Sequence, residues 1–297
     1  MDLKAILMGL SFAFIWASAF TATRVVVADA PPLTALVIRF GASAVIAVGL
    51  AAAMGQTMKL SRAEWRTVVV FGICQNALYL GLNWTGMQWV QASAASIIAS
   101  MMPLLVAFFG WLFAGQKLRS MAVAGLIVGV IGVVIIMGVR LSHGMNLLGL
   151  MLCVGGVVAL TVATLAVRST GGGKNVLMIV GLQLAVGSVA LILPALILEG
   201  GRAVHWTPRL IWGMSYSVLI AGILATVIWF RLVSRIGPVR AATFHFLSPP
   251  FGVAIAALFL NERFGWSDII GSAIIAAGIL MVQLSRVRPA QLPDSSA

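Results

Sequence analysis

The groups able to do chemistry in this chain are few, and they stand inside long apolar stretches. Arg39 is the only cation well within one of them, and a charge at the centre of a bilayer costs at least ~2.5 kcal/mol. Such a residue binds a carboxylate, gates a path, bonds freed carbonyls, or snorkels to the membrane surface from its place about six residues into its helix. Gln75, Tyr79 and Asn83 recur every fourth residue and share one helix face, with Cys74 and Asn76 beside it. Polar side chains there either bond to a neighbouring helix, at ~0.6 to 2 kcal/mol each, or line a wet cavity. His245 is the one group near mid-membrane that titrates near neutral pH, and it reads either as a satisfied core histidine or as a proton carrier.

Enzyme constellations fail on their mechanics. Asp2, Asp29, Glu64, Glu199, Glu262, Asp268 and Asp294 all fall near ends, loops or tails, which weakens a carboxylate proton relay and leaves no paired acids. Only His143, His205 and His245 are present, so neither a catalytic residue nor a metal site is expected, and no cofactor. The Gly171-Gly172-Gly173-Lys174-Asn175 stretch is similar to a phosphate loop, but Arg168 stands where its first glycine belongs and Asn175 where a hydroxyl would hold magnesium. It is read as a flexible linker. Cys74 and Cys153 sit in apolar runs and act as small hydrophobes.

The elements that position these groups follow from composition. The 297 residues are 61% apolar and 9% charged, against roughly 25% charged in a soluble domain. Apolar runs bounded by charge, Gly or Pro fall near 4–27, 33–54, 66–88, 93–115 and 120–139, then near 146–167, 177–198, 210–233, 240–260 and 266–285. Backbone groups in hydrocarbon must pair internally, so these are helices: an all-α membrane protein of ten transmembrane helices. About 77 residues remain for loops and tails, too few for a soluble catalytic module.

The net charge of +12 comes from 19 Lys and Arg scattered singly or in pairs, so nucleic acid is not a partner; lipid and a small-molecule substrate are. With the N-terminus inside, the inner connections carry thirteen of those cations and the outer ones five, which favours two cytoplasmic termini and an even span count. Lys4 and Ala17-Ser18-Ala19 imitate a secretory signal, yet the apolar stretch runs on to Val27 and its loss would leave an odd number of spans. It is read as a retained first span.

Pro103-Leu104-Leu105, Gln116, Gly125 and Gly132 match Pro249-Pro250-Phe251, Glu262, Gly271 and Gly278, each pair 146 residues apart. Arg39 falls beside Gln183, and Arg24 beside Arg168, at 144. The chain therefore reads as two five-helix repeats, 1–142 and 143–297, and because five is odd the second enters the membrane inverted. A substrate site is expected near the midplane between them, with Pro103 and Pro249 marking irregular helices or simple kinks. Ser96 and Ser100 precede Pro103 as His245 and Ser248 precede Pro249. Opposite the polar ladder, the eighth span offers Thr226, Trp229 and Phe230 as an aromatic wall. Trp65, Trp89, Trp206, Trp212 and Trp266 read as interfacial, while Trp84 and Trp111 lie deeper. Gly125 and Gly129 permit close helix packing, within the bundle or between protomers.

The Ile15-Trp16-Ala17-Ser18-Ala19-Phe20 stretch, Arg39 in the second span, and Pro249 to Glu262 followed by Gly271 make the chain resemble the EamA type of the drug/metabolite transporter superfamily. The resemblance covers nearly the whole chain. It implies ten helices, alternating access and metabolite export, is greatest to YddG-like exporters of aromatic amino acids, and implies cavity roles for Trp16 and Phe20. Gln116 departs from it, since an acid often stands there as Glu262 does in the second repeat, and this puts a symmetric acidic pair in doubt. The expectation is a bacterial inner-membrane secondary transporter, a monomer or weak homodimer, exporting aromatic or bulky apolar amino acids. The alternatives are an exporter of amines, sugars or drugs and, more remotely, an intramembrane enzyme or a channel. Trp16, Phe20, Gln75, Tyr79, Asn83, Ser96, Ser100, Thr226, Trp229, His245 and Ser248 are the expected substrate contacts, and Arg39, Pro103, Pro249 and Glu262 the gating or structural residues. Reporter fusions after Ser61, Ser169 and Ala290 should read cytoplasmic, and those after Gly144 and Gly201 external; a cytoplasmic Met1 with an external Ala290 would sink the inverted repeat.

Overall fold

The computed structural model describes residues 3–166, 175–237, 241 and 243–286, and among them every element is helical. Met1, Asp2, Arg168, Ser169, the 171–174 linker, Ala290 and Asp294 lie outside the described residues, as does the side chain of Phe230. The helices are α1 (Leu3–Asp29), α2 (Pro32–Ala53), α3 (62–86), α4 (92–114), α5 (Ser120–Ser142), α6 (Leu147–Ala166), α7 (Val176–Glu199), α8 (Pro208–Ile236), α9 (Phe244–Leu260) and α10 (Trp266–Arg286). Eight of them are long and apolar enough to cross a bilayer. The other two complete the expected ten but are less apolar or shorter: Gln75, Asn76, Tyr79 and Asn83 dilute the apolar run of α3, and α9 is short in its described part.

The most extensive packing is α5 on α10 and α2 on α7, and α4 crosses α9. Other pairings exchange under a shift of five helices: α1 with α8 and α9 is mirrored by α6 with α3 and α4, and α3 with α7 by α8 with α2. At the α5–α10 crossing, a Cβ built on Gly125 would stand 2.7 Å from the Gly278 carbonyl oxygen, and one on Gly132 2.8 Å from that of Gly271. The residue order reverses along the partner helix, so the two run antiparallel, and each glycine meets the repeat counterpart of the other. This is the self-complementary contact of a two-fold axis, made within one chain. Gly129 belongs to it, because a Cβ on Gly278 would approach the Gly129 nitrogen to 2.6 Å; the small-residue pair therefore packs inside the bundle.

The helix ends repeat as well. Gly115 (φ 62°) and Asn261 (φ 52°) close α4 and α9 in the left-handed region, and the next amides, of Gln116 and Glu262, return to the carbonyls of Gly110 and Ala256. Glycine and asparagine are the residues that enter this region at least cost. The proline breaks are modest: Met101 N–H donates to Ile98 O (3.1 Å) before Pro103, and Ser248 N–H to His245 O before Pro249. Larger irregularities lie elsewhere, in π-helical stretches at Phe71–Leu80 of α3 and Ser217–Leu224 of α8, the third helices of the two repeats.

At the end of the bundle where α1 closes, here the far end, carboxylates cap helices. Glu199 accepts from the Leu33 and Thr34 amides (2.9 and 2.8 Å), and Glu262 from those of Ala92 and Ser93 (2.7 and 3.1 Å). Both carboxylates thus meet the positive ends of helix dipoles. Asp29 receives Arg209 and Thr207, and Arg140 bridges Asp268, Gln91 and Ser93. At the opposite, near end, Gln56 caps Met178 N (3.0 Å) and Asn175 accepts from Thr57 N (3.2 Å).

The glycine contact yields a stability test. Gly278→Leu forces a side chain into α5 backbone and should lower the thermal midpoint in detergent, by an overpacking cost of about 1–3 kcal/mol or more. A Cβ on Gly138 of α5 meets nothing within 4 Å, so Gly138→Leu should leave the midpoint nearly unchanged.

Candidate functional site

A cavity of about 130 Å³ lies between the two halves. Trp16, Ala19, Phe20 and Thr23 of α1, Arg39 and Phe40 of α2, and Gln75, Asn76, Tyr79, Leu80, Asn83 and Trp84 of α3 line it from the first repeat. Val180, Gln183 and Leu184 of α7 and Ala221, Gly222 and Thr226 of α8 line it from the second. Both π-helical stretches contribute to this wall. Their wider turns loosen the local hydrogen-bond ladder, as single π turns commonly do at functional sites.

One carbonyl of the α8 stretch takes a bond from a cavity side chain. The Ser217 carbonyl, at the start of the α8 π stretch, accepts Arg39 Nε (3.3 Å). The Arg39 guanidinium carbon stands 5.2 Å from the ring centroid of Trp84 and 5.5 Å from that of Phe40, so two aromatic faces offset part of the cost of burying the charge. With 9% of its surface exposed, Arg39 stays on the cavity wall and does not snorkel. Asn76 Nδ2 donates to Gln183 O (2.9 Å) and ties α3 to α7. Thr23 and Thr226 bond back to Ala19 O (2.8 Å) and Gly222 O (2.5 Å) on their own helices. Asn83 is different: it is 1% exposed, and its Nδ2 has no hydrogen-bond partner. Among the described residues, the lining contains no Asp, Glu, Lys or His, and Arg39 is its one fixed charge.

Of the residues expected from sequence to contact substrate, Trp16, Phe20, Gln75, Tyr79, Asn83 and Thr226 converge on this cavity. Ser96, Ser100, Trp229, His245 and Ser248 do not line it. Ser96 Oγ donates to Ser248 O (3.3 Å) where α4 crosses α9, and Ser100 Oγ to Ile97 O (2.6 Å). Pro249 belongs to the α9 segment that makes this crossing, where Gly252 admits the Ser96 side chain, and Pro103 to the later part of α4, which packs on α6, α10 and α5. The His245 ring packs among Phe12, Trp16 and Trp229, with centroids 5.5, 5.6 and 5.5 Å away, in an aromatic nest that shares Trp16 with the cavity. Trp229 lies 4.6 Å from Phe12 in the same nest.

Glu262 caps α4 at the far end and lies outside this lining. Trp111, set deeper along its helix than the interfacial tryptophans, presents 49% of its surface outside the helix packing. Phe40, Trp84 and Gln183 line the cavity without having been singled out for it. The available signals were the position of Trp84 beside Asn83 and the match of Gln183 to Arg39 across the repeat. Larger depressions near Arg24, Arg209 and Arg263 belong to the far-end loops and are open at the surface.

The profile of the EamA-like transporter family matches the chain twice, over residues 3–138 and 147–284. The transporter YvbV of Bacillus subtilis is 27% identical over 90% of this chain and 87% of its own length. The aromatic amino acid exporter YddG of Ancylobacter novellus is 32% identical over 46% of this chain and 47% of its own. A solved crystal structure at 18% identity superposes with a TM-score of 0.68, covering 96% of this chain and 98% of the other, which shows a shared fold. Two matches of one profile, each to a half with the same helix order and mirrored packing, show that the chain belongs to the EamA-like transporter family.

Proposed function

We propose that this transporter exports aromatic or bulky apolar amino acids across a bacterial inner membrane, with both termini cytoplasmic and the repeats 1–142 and 143–297 rocking about the central cavity. The observation that carries this reading is the cavity wall. It combines the rings of Trp16, Phe20, Phe40, Tyr79 and Trp84 with a few polar anchors, Arg39, Gln75 and Asn83. Rings favour burial of an apolar side chain, and isolated hydrogen-bonding groups orient a small polar head. The partial match to an aromatic amino acid exporter supports the same substrate class. The far end, with its carboxylate caps, faces the outside in this reading, so the described conformation is tied together externally.

Counterflow of labelled Trp, Phe, Met and Thr in proteoliposomes tests the proposal. Trp, Phe and Met should exchange well above protein-free vesicles and Thr weakly; exchange of amines or sugars with none of the amino acids would replace this reading with its alternative. Within an active series, Asn83→Ala should weaken every substrate roughly two- to twelvefold, because an anchor worth ~0.5 to 1.5 kcal/mol is lost from the common head group. Trp16→Ala should cost Trp and Phe more than Thr, since ring contacts worth about 0.5–1.5 kcal/mol disappear only for aromatic side chains. Equal losses for all three substrates would place the side chain elsewhere.

A further inference from the structure

Arg39 carries five N–H donors, and the structure accounts for one of them, the Nε bond to Ser217 O. The rings of Phe40 and Trp84 face the guanidinium but accept no conventional hydrogen bond. The four N–H groups on the two Nη atoms therefore lack partners among the described residues, on a side chain nine-tenths buried in the cavity wall. An unpaired guanidinium in such a place is costly, and the cost is relieved when an anion completes it. On the same wall, Asn83 holds a buried amide nitrogen with no partner. Among the described residues, no carboxylate lines the cavity to satisfy either group.

We infer that Arg39 and Asn83 form a carboxylate subsite, and that the transported compound is a monocarboxylate with an apolar or aromatic body. The paired Nη donors match the planar geometry of a carboxylate, which accepts them in parallel. A phosphate fits less well: its second negative charge would enter a low-dielectric site that offers one cation. A cationic amine would be repelled by the same guanidinium. The charge also sets a polarity. The repeat counterpart of Arg39 is Gln183, which lines the same cavity without a charge. A substrate carboxylate thus turns toward α2, while an ammonium group, where present, turns toward the amides of Gln183 and Gln75.

The inference rests on this cavity being the substrate site, as proposed above. Its test is binding to the purified full chain in lipid nanodiscs, with tryptophan, tryptophanamide, indole-3-propionate and phenyl phosphate as probes. Tryptophan and indole-3-propionate should bind at least tenfold tighter than tryptophanamide, which keeps the ring and ammonium but lacks the carboxylate. Arg39→Gln should erase that preference and Arg39→Lys retain part of it. The wild-type comparison alone decides the matter if Arg39→Gln fails to fold. Equal binding of tryptophan and tryptophanamide, an unchanged preference in Arg39→Gln, or phenyl phosphate binding more tightly than indole-3-propionate would overturn the assignment. Binding of indole-3-propionate through Arg39 without binding of tryptophan would keep the carboxylate subsite and discard amino acid export. Tryptophan counterflow with no dependence on the carboxylate would do the reverse.

Discussion

Backbone contact between α5 and α10, through Gly125 against Gly278 and Gly132 against Gly271, fixes how the two halves of this protein stand to one another. In a bilayer, helices gain little from apolar burial against each other, so close approach of small residues carries the association. Because each glycine faces the other's repeat counterpart, the contact imposes a local two-fold relation on everything attached to it. The third helices, α3 and α8, then present their π-helical stretches to one shared space. The cavity takes part of its wall from each of them.

The two ends of the bundle are held by different chemistry. At the far end, Glu199 and Glu262 sit on the N-termini of α2 and α4, reinforced by the Asp29–Arg209 and Arg140–Asp268 pairs. At the near end, Gln56 makes the corresponding cap on α7 with a neutral amide. Hydrogen bonds to charged groups contribute about 1.5–3 kcal/mol each, against about 0.5–1.5 for neutral ones. Among the described residues, parting the helices at the far end would break bonds to charged groups. The caps on α2 and α7 are thus placed symmetrically but differ in charge.

Inside the cavity, the same asymmetry recurs as a single charge. Arg39 is tolerated because Trp84 and Phe40 face it and the π stretch of α8 supplies the Ser217 carbonyl, while Gln183 occupies the matching place in the other repeat without a charge. His245, which sequence reasoning set near the same midplane, is enclosed by Phe12, Trp16 and Trp229 beside the cavity. Four aromatic rings pack there at ordinary separations, and the nest supports Trp16 from behind.

Much of the architecture was legible in the chain alone. Span length and the rule that backbone must pair internally in hydrocarbon determine an all-α membrane protein, and a 146-residue recurrence with an odd helix number determines an inverted repeat. The Gln75, Tyr79 and Asn83 ladder could be read because polar side chains at helical spacing are local information. What required the tertiary structure was everything that depends on neighbours from other helices. Gly125 and Gly129 suited either an internal or an external partner until α10 met them. The prolines drew attention to α4 and α9, yet the cavity formed at π stretches that carry no proline, since backbone widening leaves no composition signal. Arg39 admitted four roles by position alone, and only the rings and the carbonyl around its guanidinium decided that it stays buried on the cavity wall.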